Sequence, residues 1–230
     1  MDNSILLEAQ ISILMPIYNG IEFIQDSVSS IKRQTYTNWD LLIGINGHPV
    51  NSEVYKIAKQ YECENIKVIE IFETKGKSNA LNEMLKYSKA NYIALLDVDD
   101  IWLPNKLQSQ IPFIQKDFDV IGTICKYFGD KDCYPSIPVG NISKFNFLTV
   151  NPIINSSAII KKELCYWNYI YDGVEDYDLW LRLWMQNKTF YNVEECHVLH
   201  RCHNNSAFNA QGNHLKVDNL LKTFIQENNI

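Results

Sequence analysis

Three carboxylates arrive within four residues in Leu96-Asp97-Val98-Asp99-Asp100-Ile101, directly after the apolar run Tyr92-Ile93-Ala94-Leu95. Such a run reads as a strand buried on both faces, as in a parallel sheet. Ligand sites in open α/β sheets lie where strands of this kind end. Like charges so close together raise the cost of ionising one another. A hard divalent cation bound through oxygen removes that cost and can bridge to a substrate's phosphates. The competing reading is an acidic turn that caps the next helix.

Two further groups could do chemistry. Thr74-Lys75-Gly76-Lys77-Ser78-Asn79 precedes a helix, where backbone N–H groups and the dipole favour anions. Lys77, or Lys75, would offset diphosphate charge there, and Asn79 would reach the same site; otherwise this is a solvated loop with Ser78 as N-cap. Glu175, Asp176 and Asp178 fall in the first turn of a helix read over Glu175 to Met185, where acids complement the dipole in any case. The apolar Leu179, Trp180, Leu181, Leu183 and Trp184 make that helix a buried one, with its tryptophans in the core.

The elements that must position these groups alternate strand and helix. Strands are expected at Ile11 to Ile17, Asp40 to Ile45, Ile66 to Phe72 and Tyr92 to Leu96, the second followed by the turn Asn46-Gly47. Helical stripes run through Ile21, Ile24, Val28 and Ile31, through Val54, Ile57, Ala58 and Tyr61, and through Leu81, Met84 and Leu85. Alternation of this kind implies a parallel sheet with right-handed crossovers. Beyond Asp100 the pattern becomes irregular. A helix is expected after Pro104 to about Lys116, ended or bent at Pro112. Strands are expected at Asp119 to Phe128 and Ile153 to Ile160, a surface loop or irregular hairpin at Gly129 to Asn141, and a short C-terminal helix from Leu215.

At 230 residues, 46% apolar and 21% charged, the composition is that of one globular domain. A net charge of −6 argues against a nucleic-acid binder. No apolar run reaches bilayer-spanning length, and Met1-Asp2-Asn3-Ser4 lacks the basic start of a signal peptide, so a cytoplasmic protein is expected. Six scattered cysteines without a C-x-x-C are expected as thiols. The cluster Cys196, His197, His200, Cys202, His203 has zinc-ligand chemistry but not the spacing of a common finger or ribbon.

Five segments in order resemble the family 2 glycosyltransferases of the GT-A fold, over roughly residues 10 to 210. They are Ile11 through Pro16-Ile17-Tyr18-Asn19-Gly20, Gln34-Thr35-Tyr36-Thr37-Asn38-Trp39-Asp40, Leu96-Asp97-Val98-Asp99-Asp100, Val174-Glu175-Asp176-Tyr177-Asp178-Leu179-Trp180, and Arg201-Cys202-His203-Asn204-Asn205-Ser206. The resemblance implies an α/β, mainly parallel Rossmann-like sheet in a single domain over 1–230. A nucleotide-sugar half over about 10–121 would be followed by an acceptor and catalytic half to about 214 and a C-terminal helix. It implies inverting transfer of a hexosyl or N-acetylhexosaminyl group from a nucleoside diphosphate sugar to a hydroxyl, on a glycan or another acceptor.

Residue by residue, the resemblance places the nucleotide base near Pro16, Ile17, Tyr18 and Asn19. It places diphosphate and sugar near Lys77, Asn79, Asp97 and Val98. Mn²⁺ or Mg²⁺ would sit at Asp99 and Asp100, with Asp97 and His203 in support and His200 as competitor to His203. The general base falls at Asp176, with Glu175 orienting it or contacting acceptor hydroxyls. One position departs from the family: where it has paired aspartates, this chain reads Ile45-Asn46. The Asn46 carboxamide oxygen can accept from a ring N–H, but its NH₂ adds donors, so UDP is the default base and the identity stays open. An inactive module of the same fold is the alternative, and a nucleotidyltransferase the more distant one, because Pro16-Ile17-Tyr18-Asn19-Gly20 is no glycine-rich phosphate loop. The sequence leaves open whether the chain forms a homo-oligomer or is one domain of a longer protein.

Overall fold

The computed structural model describes residues 10–72, 75–203 and 212–230. β1 (Ile11–Ile17) is buried along nearly its whole length, as its continuous apolar run requires. It pairs in parallel with β2 (Trp39–Asn46) on one side and β4 (Tyr92–Leu95) on the other, and β2 pairs in parallel with β3 (Ile66–Ile71). The connecting helices are α1 (Ile24–Lys32), α2 (Glu53–Lys59) and α3 (Lys77–Met84). Strand direction therefore brings the ends of β1, β2 and β4 to one sheet edge.

The second half extends the same sheet through β5 (Ile101–Trp102), α4 (Lys106–Gln115), β6 (Val120–Gly129), β7 (Gly140–Asn141), β8 (Ile159–Lys161), α5 (Glu175–Met185), β9 (Phe190–Cys202) and α6 (Asn213–Asn228). The strand order is β3-β2-β1-β4-β8-β6-β9-β5, with β7 on β9. β8 runs antiparallel between β4 and β6, so the sheet is mixed beyond β4. Each sheet face carries its own core. Ile11, Ile13, Met15 and Ile17 pack with Val28 of α1, Ala58 of α2 and Ile111 of α4; Leu14 and Leu95 pack with Leu81 of α3, Leu179 of α5 and Phe224 of α6. That is the period-2 alternation of β1 read in three dimensions.

Four expectations shift. Ile101 and Trp102, next to the predicted helix, form the two-residue strand β5. Pro112 lies inside α4, which continues three residues beyond it. The expected strand over Ile153 to Ile160 is interrupted by a 3₁₀ turn at Asn155–Ser157, and only Ile159–Lys161 pairs. The thirteen-residue β9 was not foreseen. Its pairing with β6 jumps from Val193 to Cys196 and again to Val198. Glu194 and Glu195 bulge outward, exposed, and erase the alternation that marks a strand in sequence. Among the described residues no helix is long and apolar enough to cross a membrane. All six cysteines are free.

One buried amine carries a stability consequence. The Lys106 side chain is fully buried, its ammonium nitrogen has no hydrogen-bond partner, and it lies 3.9 Å from the centre of the Trp102 ring. Burial pushes its pKa well below the ordinary lysine value. The unfolded chain then binds the proton more readily than the folded one, so stability rises with pH up to the unfolded lysine value of about 10.4. Lys106→Met fills the same volume without the amine and is expected to stabilise the fold by about 1–3 kcal/mol at pH 7. Thermal melts across pH 7–10 check this: the wild-type rise in melting temperature should flatten in the variant.

Candidate active site

The acidic run leaves β4 in a turn, with Asp100 N–H donating to the Asp97 carbonyl at 3.1 Å. Asp97 is held on every side. Its N–H donates to Ser156 Oγ at 3.1 Å, its Oδ2 accepts from Asn155 Nδ2 at 3.0 Å, and its Oδ1 lies 2.6 Å from Lys77 Nζ. Burial alone would raise the Asp97 pKa, but the Lys77 ammonium, with Asn155 and His200, holds the carboxyl below the usual range.

Lys77 is the first residue of α3, and it also reaches Glu175 Oε1 at 3.3 Å. Its two carboxylate partners outweigh its own burial and keep it charged. The helix N-terminus behind it is occupied. Asp172 accepts from the N–H of Lys77 at 3.3 Å and from the N–H and hydroxyl of Ser78 at 2.9 Å each. The expected anion site on these amides is thus filled by the protein's own carboxylate, and Ser78 does not cap its own helix. The ammonium of Lys77 is the charge that faces the acidic run. The Asn79 side chain turns back to the Lys75 carbonyl at 3.0 Å. Thr74 lies outside the described residues.

Asp99 and Asp100 part company. Asp100 is fully buried, accepting from the Arg201 N–H at 2.8 Å and lying 3.0 Å from His200 Nδ1. Burial would lower the His200 pKa, but Asp100, with Asp97 and Asp99 behind it, pushes it up to about 9. Asp99 faces His203, Oδ2 to Nε2 at 3.0 Å, and is partly exposed. Burial, then Asp100 and Asp97, push the Asp99 carboxyl up to about 6. Arg201 braces the turn by donating Nε–H to the Asp99 carbonyl at 2.9 Å, its guanidinium between Phe23 and Phe128. Asn204, Asn205 and Ser206 of the same motif lie outside the described residues.

The opposite wall is the start of α5. Glu175 is buried, accepting from the Gly173 N–H at 2.6 Å as well as facing Lys77. Asp176 is less enclosed. Its Oδ1 accepts from the Tyr177 N–H at 2.7 Å and its Oδ2 from Asn151 Nδ2 at 3.0 Å. Burial and then the neighbouring Glu175 push its pKa up to about 6, against the pull of Lys77. Lys77 thereby links the carboxylate at the end of β4 to the acidic start of α5. The segment from Asn151 to Asn155 makes a second link, donating to Asp176 at one end and to Asp97 at the other.

At the edge formed by β1 and β2, Asn46 ends its strand almost wholly buried. Gly47 adopts φ 74°, and a side chain there would meet the Tyr18 ring at 3.0 Å. Tyr18 itself is 58% exposed, its carbonyl 2.6 Å from His48 Nε2. Pro16 and Ile17 lie within β1, Asn19 is exposed beyond it, and buried Val98 packs close to Gly20. Asn151, Asn155, Asp172 and Ser156 were not singled out from sequence. Isolated Asn, Asp and Ser residues in loops carry no periodic or motif signal.

Among the described residues no three His, Cys, Asp or Glu side chains form a metal cage. Asp99 and His203 offer an oxygen and a nitrogen side by side. Two protein donors suit a Mn²⁺ or Mg²⁺ ion that takes its remaining ligands from diphosphate oxygens and water.

A parallel sheet with an acidic turn and a basic residue at its carboxyl edge, faced by a second acidic helix start, is the GT-A arrangement. Residues 12–160 match the model of Glycosyl transferase family 2, and the chain belongs to that family. S. aureus TarS 1–349, solved with UDP-GlcNAc, superimposes with a TM-score of 0.74 at 17% identity, covering 94% of this chain and 66% of that one. The mannosyltransferase PcManGT from Pyrobaculum calidifontis, solved with GDP-Man and Mn²⁺, gives 0.64 at 14% identity over 85% of this chain and 57% of its own. In sequence, the O-antigen biosynthesis glycosyltransferase WbnJ of Escherichia coli is 30% identical over 86% of this chain and 81% of its own length. The Escherichia coli UDP-Glc:alpha-D-GlcNAc-diphosphoundecaprenol beta-1,3-glucosyltransferase WfgD is 40% identical over 46% of this chain, a stretch spanning 41% of WfgD.

Proposed function

We propose that this chain, as one catalytic unit, transfers a hexosyl group with inversion from a UDP-sugar to a hydroxyl of a glycan acceptor, with UDP-glucose as the first donor to try. The reading rests above all on the pairing of Lys77 with both Asp97 and Glu175, which joins a donor end to an acceptor end. The UDP-Glc donor in the name of WfgD supports the choice of sugar, and its GlcNAc-diphosphoundecaprenol acceptor supports a lipid-linked glycan as acceptor. Free thiols throughout, two of them buried, support a reducing, cytoplasmic setting.

In this reading Asp99 and His203 would hold Mn²⁺ or Mg²⁺, which when bound neutralises charge on the diphosphate. Asp100, locked to His200 and Arg201, supports the turn from behind. Lys77 keeps Asp97 ionised and placed for the donor sugar. Tyr18 offers an exposed ring face to the base, and Asn46 an acceptor to its ring N–H. Asp176 takes the proton of the acceptor hydroxyl as that oxygen bonds to the anomeric carbon and the bond to the diphosphate breaks. Glu175, buried and held by Gly173 and Lys77, orients the pair rather than receiving the proton.

Calorimetry against UDP, GDP, CDP and ADP, each with Mn²⁺, tests the donor assignment. UDP is expected to bind tightest, and Asn46→Asp to bind it at least as well, because a carboxylate accepts without adding donors. Tightest binding of GDP overturns the base assignment. Hydrolysis of UDP-glucose tests for an active enzyme, and no turnover of any nucleotide sugar would favour the inactive module.

A further inference from the structure

Asp176 is a half-buried carboxylate beside another acid, and something must keep it both oriented and ionised. Its Oδ2 accepts from Asn151 Nδ2 at 3.0 Å, while Oδ1 accepts from the N–H of Tyr177 at 2.7 Å. Both oxygens are thereby fixed in one plane, each with a lone pair left over. Asn151 comes from outside α5, on a segment that the core holds firmly. Pro152 offers its carbonyl to Asn192 Nδ2 at 2.8 Å, and Asn192 is fully buried. Ile153 is fully buried, and its N–H donates back to Asn151 Oδ1 at 3.4 Å. At the far end Asn155 is tied to Asp97 at 3.0 Å, and the Ser156 carbonyl accepts from Trp102 Nε1 at 2.7 Å. A donor anchored in this way is preorganised, with little freedom to lose when the reaction occurs.

We infer that Asn151 is the positioning residue for Asp176, fixing its carboxylate plane and favouring its ionised form by a donated hydrogen bond. The inference rests on the reading of Asp176 as base but makes a claim of its own about proton affinity. The charged and titratable groups facing Asp176 are Glu175, which opposes ionisation, Lys77, which favours it, and the phenol of Tyr177, which is committed to the Phe147 carbonyl at 2.6 Å. An amide donor works with Lys77 against Glu175 and burial. Removing it tilts the balance toward the protonated acid.

The test is a carboxyl carbon-13 NMR titration of the whole chain without substrate, the Asp176 resonance assigned by its loss in Asp176→Asn. Wild-type protein should titrate near pH 6, and Asn151→Ala should raise the midpoint by roughly one pH unit, the scale of one hydrogen bond to a charged group. Asn151→Asp keeps the shape but replaces a donor with a charge, and should raise the midpoint at least as far. It also serves if the alanine variant fails to fold. A merely structural residue would change the melting temperature and leave the midpoint alone. An unmoved or lowered midpoint in the folded variants overturns the inference. Failure of the base assignment shows separately, as undiminished UDP-glucose turnover in Asp176→Asn.

Discussion

Replacing Asp176 by Asn is expected to slow sugar transfer by roughly 10²–10⁴-fold while leaving UDP-sugar binding nearly intact. The side chain keeps its shape, and its one oxygen can still accept from the Tyr177 N–H or from the Asn151 amide, one of the two. What disappears is the proton-accepting charge. The same group sets a pH dependence. Burial and Glu175 push the Asp176 carboxyl up to about 6. The protonated acid cannot take the hydroxyl's proton, so the wild-type rate should climb as pH rises through about 6 and level off above it. The residual rate of Asp176→Asn should lack that limb. The product sugar should emerge with inverted anomeric configuration, checked by proton NMR of early product. Near-normal transfer by the variant, or retained configuration, counts against the assignment.

The second large effect separates two adjacent aspartates. Asp99→Ala should weaken UDP binding by about 10–100-fold or more and abolish its dependence on Mn²⁺. Asp99 faces His203 with part of its surface open, pushed up to about 6 by burial and by Asp100 and Asp97, and a bound cation relieves that repulsion. Asp100→Ala should act first on the fold. Its carboxylate is fully buried, and its loss orphans the Arg201 N–H and removes the carboxylate that lies against His200 Nδ1. Breaking a buried charged pair by removing one partner costs about 3–5 kcal/mol, so a denaturant melt should shift strongly for Asp100→Ala and little for Asp99→Ala. Calorimetry with and without chelator completes the comparison. Equal wild-type affinity for UDP in both conditions would remove the metal from this turn.

The elements that were legible in sequence are those whose signal is local. β1 shows as a continuous apolar run, α1 as a stripe of Ile24, Val28 and Ile31, and α5 as acids followed by an apolar helix. The acidic run marks its own position, because carboxylates directly after a buried strand stand at a sheet edge. β9 did not show, since the Glu194-Glu195 bulge breaks its period. Its late position also hid its place in the sheet, beside β6, which precedes it by some sixty residues of chain.

By itself the sequence determined the family, the parallel first half of the sheet, and which carboxylates gather at its edge. Residue type and short spacing carry all of that. Only the tertiary structure decided how those charges are shared out. It gives the α3 N-terminus to Asp172, hands Lys77 to Asp97 and Glu175 together, buries Asp100 against His200, and leaves Asp99 facing His203. Lys77 and Asp97 lie 20 residues apart in the chain, and the other partners 94 to 104. A carboxylate's pKa depends on burial and on the nearest opposite charge, and neither is a property of the local chain.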